Sequence, residues 1–314
     1  MKVQLHSLAL AAAFGALLPT SVLAQDAIVP TDFATISAAV QGAADVDGDG
    51  TVHIFVQAGT YAESVLVQRS NVRLEGAGAT TTTIQGNPLM RAVNVQAVMN
   101  FELSGFSITG EPTRDGVEVT GCDNVSIHDN VVFGTQDGIR VNRTSNTDVF
   151  ANEVHHNTSS GIKLKGGGAN SITGNDCHDN FSSGVDLDRT TDCLVAGNTC
   201  TMNASNGVRL RRSTDIVAQN NTCQGNFDSG LFLRELSGVE ILSNVCTGNS
   251  QNGVRLRDVS SSLFDANVFT GNGEYGIRTR DSFGNDWDGT QPGSQGERGN
   301  NDVSGNTLGA IRID

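Results

Sequence analysis

Residues 207–224 read GVRLRRSTDIVAQNNTCQ. Three short runs inside this stretch, GVRLR, DIVAQ and NTCQ, alternate apolar with polar residues, and turn-forming residues separate them. Alternation with a period of two marks a strand, because successive side chains leave a strand on opposite faces. The pattern returns along the chain. Gly116, Gly138, Gly161, Gly184, Gly207, Gly230, Gly253 and Gly276 each open a G-[VIL]-x-[VLT]-x segment, spaced 22 and then 23 residues apart. Asn130, Asn152, Asn175, Asn198, Asn221, Asn244 and Asn267 keep the same period, as do Asn157, Asn180, Asn203, Asn226, Asn249 and Asn272. Cys177, Cys200, Cys223 and Cys246 form a third column. Three short strands per coil of about 23 residues, stacked coil on coil, predict an all-β chain folded as a single-stranded right-handed parallel β-helix. The asparagine columns predict turn ladders, in which stacked amides bond to one another and to the backbone.

The remaining sequence fits around that solenoid. Lys2, the apolar run LALAAAFGALL and the small-residue stretch SVLA read as a signal peptide over residues 1–24, cleaved after Ala24. The expected location is therefore secreted or periplasmic. Residues 25–314 read as one domain, with regular repeats over about 92–281 and no later run apolar enough to span a membrane. DFATISAAVQGAA (32–44) has the apolar spacing of a helix that caps the first coil, and VHIFVQAGTYAESVLV (52–67) begins the strands. GNDWDGTQPGSQGERG (284–299) reads as a turn-rich loop before a last coil. A formal charge of −14 makes a nucleic-acid partner a poor fit. A monomer is expected.

With these repeats the chain resembles the right-handed parallel β-helix superfamily of pectate lyases and related carbohydrate-active proteins, over roughly residues 29–314. That resemblance implies the fold, and it leaves the activity open because the scaffold carries many. Gly59-Thr60-Tyr61-Ala62-Glu63 is similar to a short motif of pectin methylesterases. Their later catalytic motifs are missing here, so that activity is set aside.

In each GVRLR-type segment the apolar residues fill the bore and the second and fourth residues after the glycine face outward. In order these are Arg140 and Asn142, Lys163 and Lys165, Asp186 and Asp188, Arg209 and Arg211, Phe232 and Arg234, Arg255 and Arg257, Arg278 and Arg280. Ten of the 14 are basic, in a chain with only 20 Lys and Arg in all. Coils lie about 4.8 Å apart, so cations stacked at that spacing repel. Acids one residue beyond the strip (Glu235, Asp258, Asp281) would neutralise some of them. A track for a polyanion explains the concentration better, and in an exported β-helix the expected partner is a linear acidic polysaccharide of the alginate, pectate or glycosaminoglycan class. Arg140, Arg234, Arg255, Arg257, Arg278 and Arg280 would pair with uronate carboxylates, and Phe232 would stack on a sugar.

Asp186 and Asp188 break the strip. The arrangement resembles β-helix polysaccharide lyases that use Ca²⁺ beside basic residues on one outward sheet. On that resemblance Lys163 or Lys165 would be the base and Arg209 and Arg211 would hold the substrate carboxylate. Asp186 and Asp188 would bind Ca²⁺ or orient the base, and the reaction would be β-elimination. A C5-epimerase is the next possibility, weakened by the absence of an Asp-Pro-His-Asp motif. Hydrolysis by two carboxylates about 6–7 Å apart is a third, weakened by the lack of a histidine in the strip. The alternative is a non-catalytic β-helix of the periplasmic carbohydrate-binding or copper-enzyme-maturation type, with the acids serving only as counter-charges.

Three further features stand outside the strip. DVDGDGT (45–51) presents Asp45, Asp47 and Asp49 as the first half of a Ca²⁺ loop, although Val56 occupies the place of its final acid. His155 and His178 occupy one column in adjacent coils, with His156 and Asp179 beside them, a structural stack or the start of a metal site. The cysteine column points inward like Val154 and Phe269, which predicts mostly free, buried thiols.

Overall fold

The computed structural model describes residues 25–287 and 301–314. The signal peptide proposed for residues 1–24 and the loop residues 288–299 lie outside the described residues. The chain winds into a parallel β-solenoid of about 11 turns. One coil consists of Val185–Asp188, Thr191–Ala196 and Thr199–Thr201, and the next of Val208–Arg211, Thr214–Gln219 and Thr222–Gln224. They stack in strict parallel register, with Val185 on Val208, Cys193 on Ile216 and Cys200 on Cys223. The third strands of successive coils make a separate nine-stranded sheet.

Register and alternation together build the bore. Val185, Leu187, Val208, Leu210, Leu231 and Leu233 are fully buried, one above another. The turns are held by the asparagines. The Asn203 side-chain oxygen accepts from both the backbone N–H and the side-chain amide of Asn180, at 3.1 and 3.0 Å. Its own amide donates to the Cys177 carbonyl and to the next asparagine, Asn226. Each buried turn thus finds partners for the backbone groups it removes from water.

The glycine that opens each first strand is needed for close approach. A Cβ at Gly207 would lie 2.6 Å from the Cys223 Cβ and 2.8 Å from the Gly230 carbonyl oxygen, so no larger residue fits. The six cysteines are free and buried. A water-soluble thiol reagent should therefore label none of them in the folded protein and all six after denaturation.

The cap is a single helical turn pair, Ile36–Gly42, shorter than the 32–44 segment expected. Thr35 caps it through a bond from the Ala38 N–H, and Ile36, Ala39 and Val40 close the bore. The Glu63 carboxylate accepts from the Ile36 and Ser37 N–H groups, both at 2.9 Å. The acid of the Gly59–Glu63 motif therefore serves the cap. Among the described residues no helix is long and apolar enough to cross a membrane.

Candidate functional site

The first strands bring every strip residue onto one face. Arg140, Lys163, Asp186, Arg209, Phe232, Arg255 and Arg278 form one column in register. Asn142, Lys165, Asp188, Arg211, Arg234, Arg257 and Arg280 form the other. The strip is less bare than its sequence suggests. Arg234 pairs with Glu235 at 2.7 Å, Arg257 with Asp258 at 3.6 Å and Arg280 with Asp281 at 3.2 Å. Glu235, Asp258 and Asp281 stand where the chain turns with positive φ, which swings each acid back toward the strand it follows. Arg278 pairs with Glu274 and Asp314. Arg255 lies over the Phe232 ring, 5.6 Å from its centre, so that ring face is already covered by a guanidinium. Lys165 is exposed and makes no ion pair among the described residues.

Asp186 and Asp188 point outward as expected, yet they are not solvent-facing. Asp186 is 0% and Asp188 6% exposed. Arg209 grips Asp186 with two parallel bonds of 3.0 and 2.6 Å, and Arg211 reaches the same carboxylate at 3.3 Å. Arg212, the positive-φ residue after the strand, turns back to hold Asp188 with two bonds of 2.9 Å. Burial pushes the Arg209 guanidinium down, but its bond to Asp186 and the charges of Asp186, Asp137 and Asp188 raise it overall. Every oxygen of the two carboxylates is engaged by a guanidinium, so a Ca²⁺ bound there would have to displace the arginines that the pair fixes above it.

The sequence reading began the strip at Arg140 and so missed the acids beneath its start. Asp115, Glu118 and Asp137 are 3%, 7% and 1% exposed. Glu118 occupies the strip column one coil before Arg140. Asp115 and Asp137 precede Gly116 and Gly138, where later coils place Ser160, Ser183 and Asn206. That substitution of acid for Ser or Asn was the available signal. Arg140 lies 3.5 Å from Asp137 and 3.8 Å from Glu118, Lys163 reaches Asp137 at 3.2 Å, and Arg91 contacts Glu118. Burial lifts the Asp115 carboxyl above its ordinary range, and the Asp137 charge adds to the lift. Burial also lifts Glu118, with Asp115 reinforcing it against the pull of Arg91 and Arg140.

Elsewhere, Asp45 and Asp47 meet Asp26, while Asp49 is outside that group and bonds the Thr51 N–H in its own turn. The Asp26 oxygens accept from the Val46 and His53 N–H groups. A cavity of about 330 Å³ on the second strands is lined by Asp49, His53, Arg73, Glu102, Ser126 and Asp148 among others. Arg73 and Glu102 pair there at 3.1 Å. On the nine-stranded sheet His155 and His178 stack at 5.0 Å. Burial and the His178 charge hold His155 below the ordinary imidazole range. Burial also pushes His178 down, but bonds to Asp179 and Glu153 lift it above that range.

Comparison with known proteins places this geometry. The family model described as periplasmic copper-binding protein (NosD) matches residues 53–192 and 157–289. The chain belongs to the NosD family. The family's description names copper binding and a periplasmic setting. No curated protein matches the sequence. Among solved structures, the A-module of the Azotobacter vinelandii mannuronan C-5 epimerase AlgE4 is 18% identical, with a TM-score of 0.65 over 89% of this chain and 92% of that one. The Dettilon tailspike protein is 14% identical, with a TM-score of 0.60 over 83% and 62%. DFA-IIIase from Arthrobacter chlorophenolicus A6 is 15% identical, with a TM-score of 0.57 over 79% and 86%. At these identities the likeness is one of fold, the right-handed parallel β-helix.

Proposed function

We propose that the protein binds a linear acidic polysaccharide along the first-strand face and cleaves it by β-elimination at the start of that face. The observation that carries this reading is the convergence of Arg140 on the buried Asp115, Glu118 and Asp137, with Lys163 reaching Asp137 from the next coil. Arg140 neutralises the uronate carboxylate, which makes the C5 proton acidic. Lys163, when unprotonated, takes that proton. A C4–C5 double bond forms, the C4–O4 bond breaks, and Glu118 in its protonated form gives a proton to the leaving oxygen. Arg209 and Arg211, fixed by Asp186, hold a neighbouring uronate. Phe181 and Phe227, 78% and 73% exposed on the turns that lead into first strands, offer aromatic surfaces beside the track. The family favours a second reading, in which the same chain is a non-catalytic maturation protein and the face binds without cleaving.

Binding tests the track itself. Arg255→Ala with Arg257→Ala should weaken binding of alginate or polygalacturonate about tenfold or more, since a charge-assisted bond is worth roughly 1.5–3 kcal/mol. Raising the salt should weaken the wild type as well. Titration calorimetry at two ionic strengths reads both effects, and unchanged affinity in the double variant would remove these arginines from the track.

A further inference from the structure

We propose that Arg143, Lys165 and Arg189 form a site for a sulfate ester, so that the polymer bound along the first-strand face, on the reading proposed above, is a sulfated polysaccharide of the glycosaminoglycan class. Such a site holds the polymer whether or not the chain is then cleaved. One residue past the strip, successive coils place Arg143, Gly166, Arg189, Arg212, Glu235, Asp258 and Asp281, all with positive φ. The Arg143 N–H donates to the Lys165 carbonyl, that of Gly166 to Asp188 and that of Arg189 to Arg211, which stacks these turns coil on coil. From Arg212 onward the column is matched to the strip. Arg212 holds Asp188, and Glu235, Asp258 and Asp281 pair with Arg234, Arg257 and Arg280. The start of the column is not matched. Arg143 and Lys165 are exposed and make no ion pair among the described residues. Arg189 meets Asp188 only at 3.8 Å, on a buried carboxylate that Arg212 already holds with two bonds.

Gly166 stands between the two arginines, and packing does not require it to lack a side chain. A Cβ there would meet nothing closer than the Arg143 Cγ, at 3.6 Å. Arginine adopts the same turn conformation on either side, with φ of 52° at Arg143 and 56° at Arg189. The glycine therefore leaves an open floor between coils that lie two spacings, or roughly 9–10 Å, apart. Arg143 leans over that floor, Arg189 borders it from the far side, and Lys165 precedes it in the chain. Cations on three sides donate from three directions. A sulfate ester presents three free oxygens to them, whereas a planar carboxylate is satisfied by a single guanidinium fork. Arg209, Arg234, Arg257 and Arg280 each already have a carboxylate of the protein. At Gly166 the positive charge is in surplus, and an anion carried by the polymer neutralises it.

The test is titration calorimetry of the protein with chondroitin sulfate and with chemically desulfated chondroitin, which keeps every uronate, at one ionic strength. The sulfated polymer should bind about tenfold more tightly or better. The triple variant Arg143→Gln, Lys165→Gln, Arg189→Gln should lose that preference and bind both polymers as the wild type binds the desulfated one. Gly166→Asp should lose it too, by setting a carboxylate on the floor, and aspartate tolerates the positive φ. Far-UV dichroism and the urea midpoint should show both variants folded. Arg255→Ala with Arg257→Ala should weaken both polymers alike and keep the preference. Equal affinity of the wild type for the two polymers would overturn the sulfate site and leave the track standing. Binding of neither would overturn the track and the site together. A preference that survives in the triple variant would also overturn the assignment, because the charge density of the polymer alone would then account for it.

Discussion

Asn203→Ala should destabilise the solenoid by about 3–5 kcal/mol, read as a lowered urea midpoint. The side chain accepts two bonds from Asn180 and donates one each to Cys177 and Asn226. Truncation leaves these buried groups unpartnered in the middle of the stack, and each orphaned group costs about 1–3 kcal/mol, less where the turn relaxes. A serine or aspartate there would satisfy only part of the set. Asn272, whose ladder partner Asn306 belongs to the last coil, should tolerate the same change better, because its site is closer to water. Equal effects at the two positions would mean that the ladder is not a cooperative element.

Asp186→Ala should cost about 3 kcal/mol and should weaken polysaccharide binding at the same time. Removing one partner of a buried pair costs about 3–5 kcal/mol because the other charge is stranded. The lower end applies here, since Arg209 and Arg211 are 22% and 23% exposed and can turn toward solvent. In turning they lose the parallel arrangement that fits a uronate carboxylate. Denaturation midpoint and titration calorimetry on one preparation read both consequences. A variant of full stability with intact binding would make Asp186 a bystander.

The fold was legible in the sequence because a solenoid writes its geometry as a period. Gly207, Leu210, Asn203 and Cys223 each belong to a column, and a column states register directly. The site was less legible because charge balance depends on where side chains go after they leave the backbone. The alternation rule placed Asp186 on the outer face correctly, but it could not show that Arg209 and Arg211 fold over it. Arg212 reaches Asp188 only because its backbone turns with positive φ. Asp115 and Asp137 sit at turn positions outside the alternation altogether, so a reading of strand faces passed over them.

The most direct test of the proposed chemistry is the ultraviolet absorbance of unsaturated uronate, followed while the exported protein is incubated with alginate, polygalacturonate and glycosaminoglycans. The wild type should generate it from at least one of these polymers. Glu118→Gln and Lys163→Met should each lower the rate about 100-fold or more while polymer binding persists. No unsaturated product from any of the polymers, with binding intact, would contradict the lyase and leave a binding or maturation protein of the NosD family.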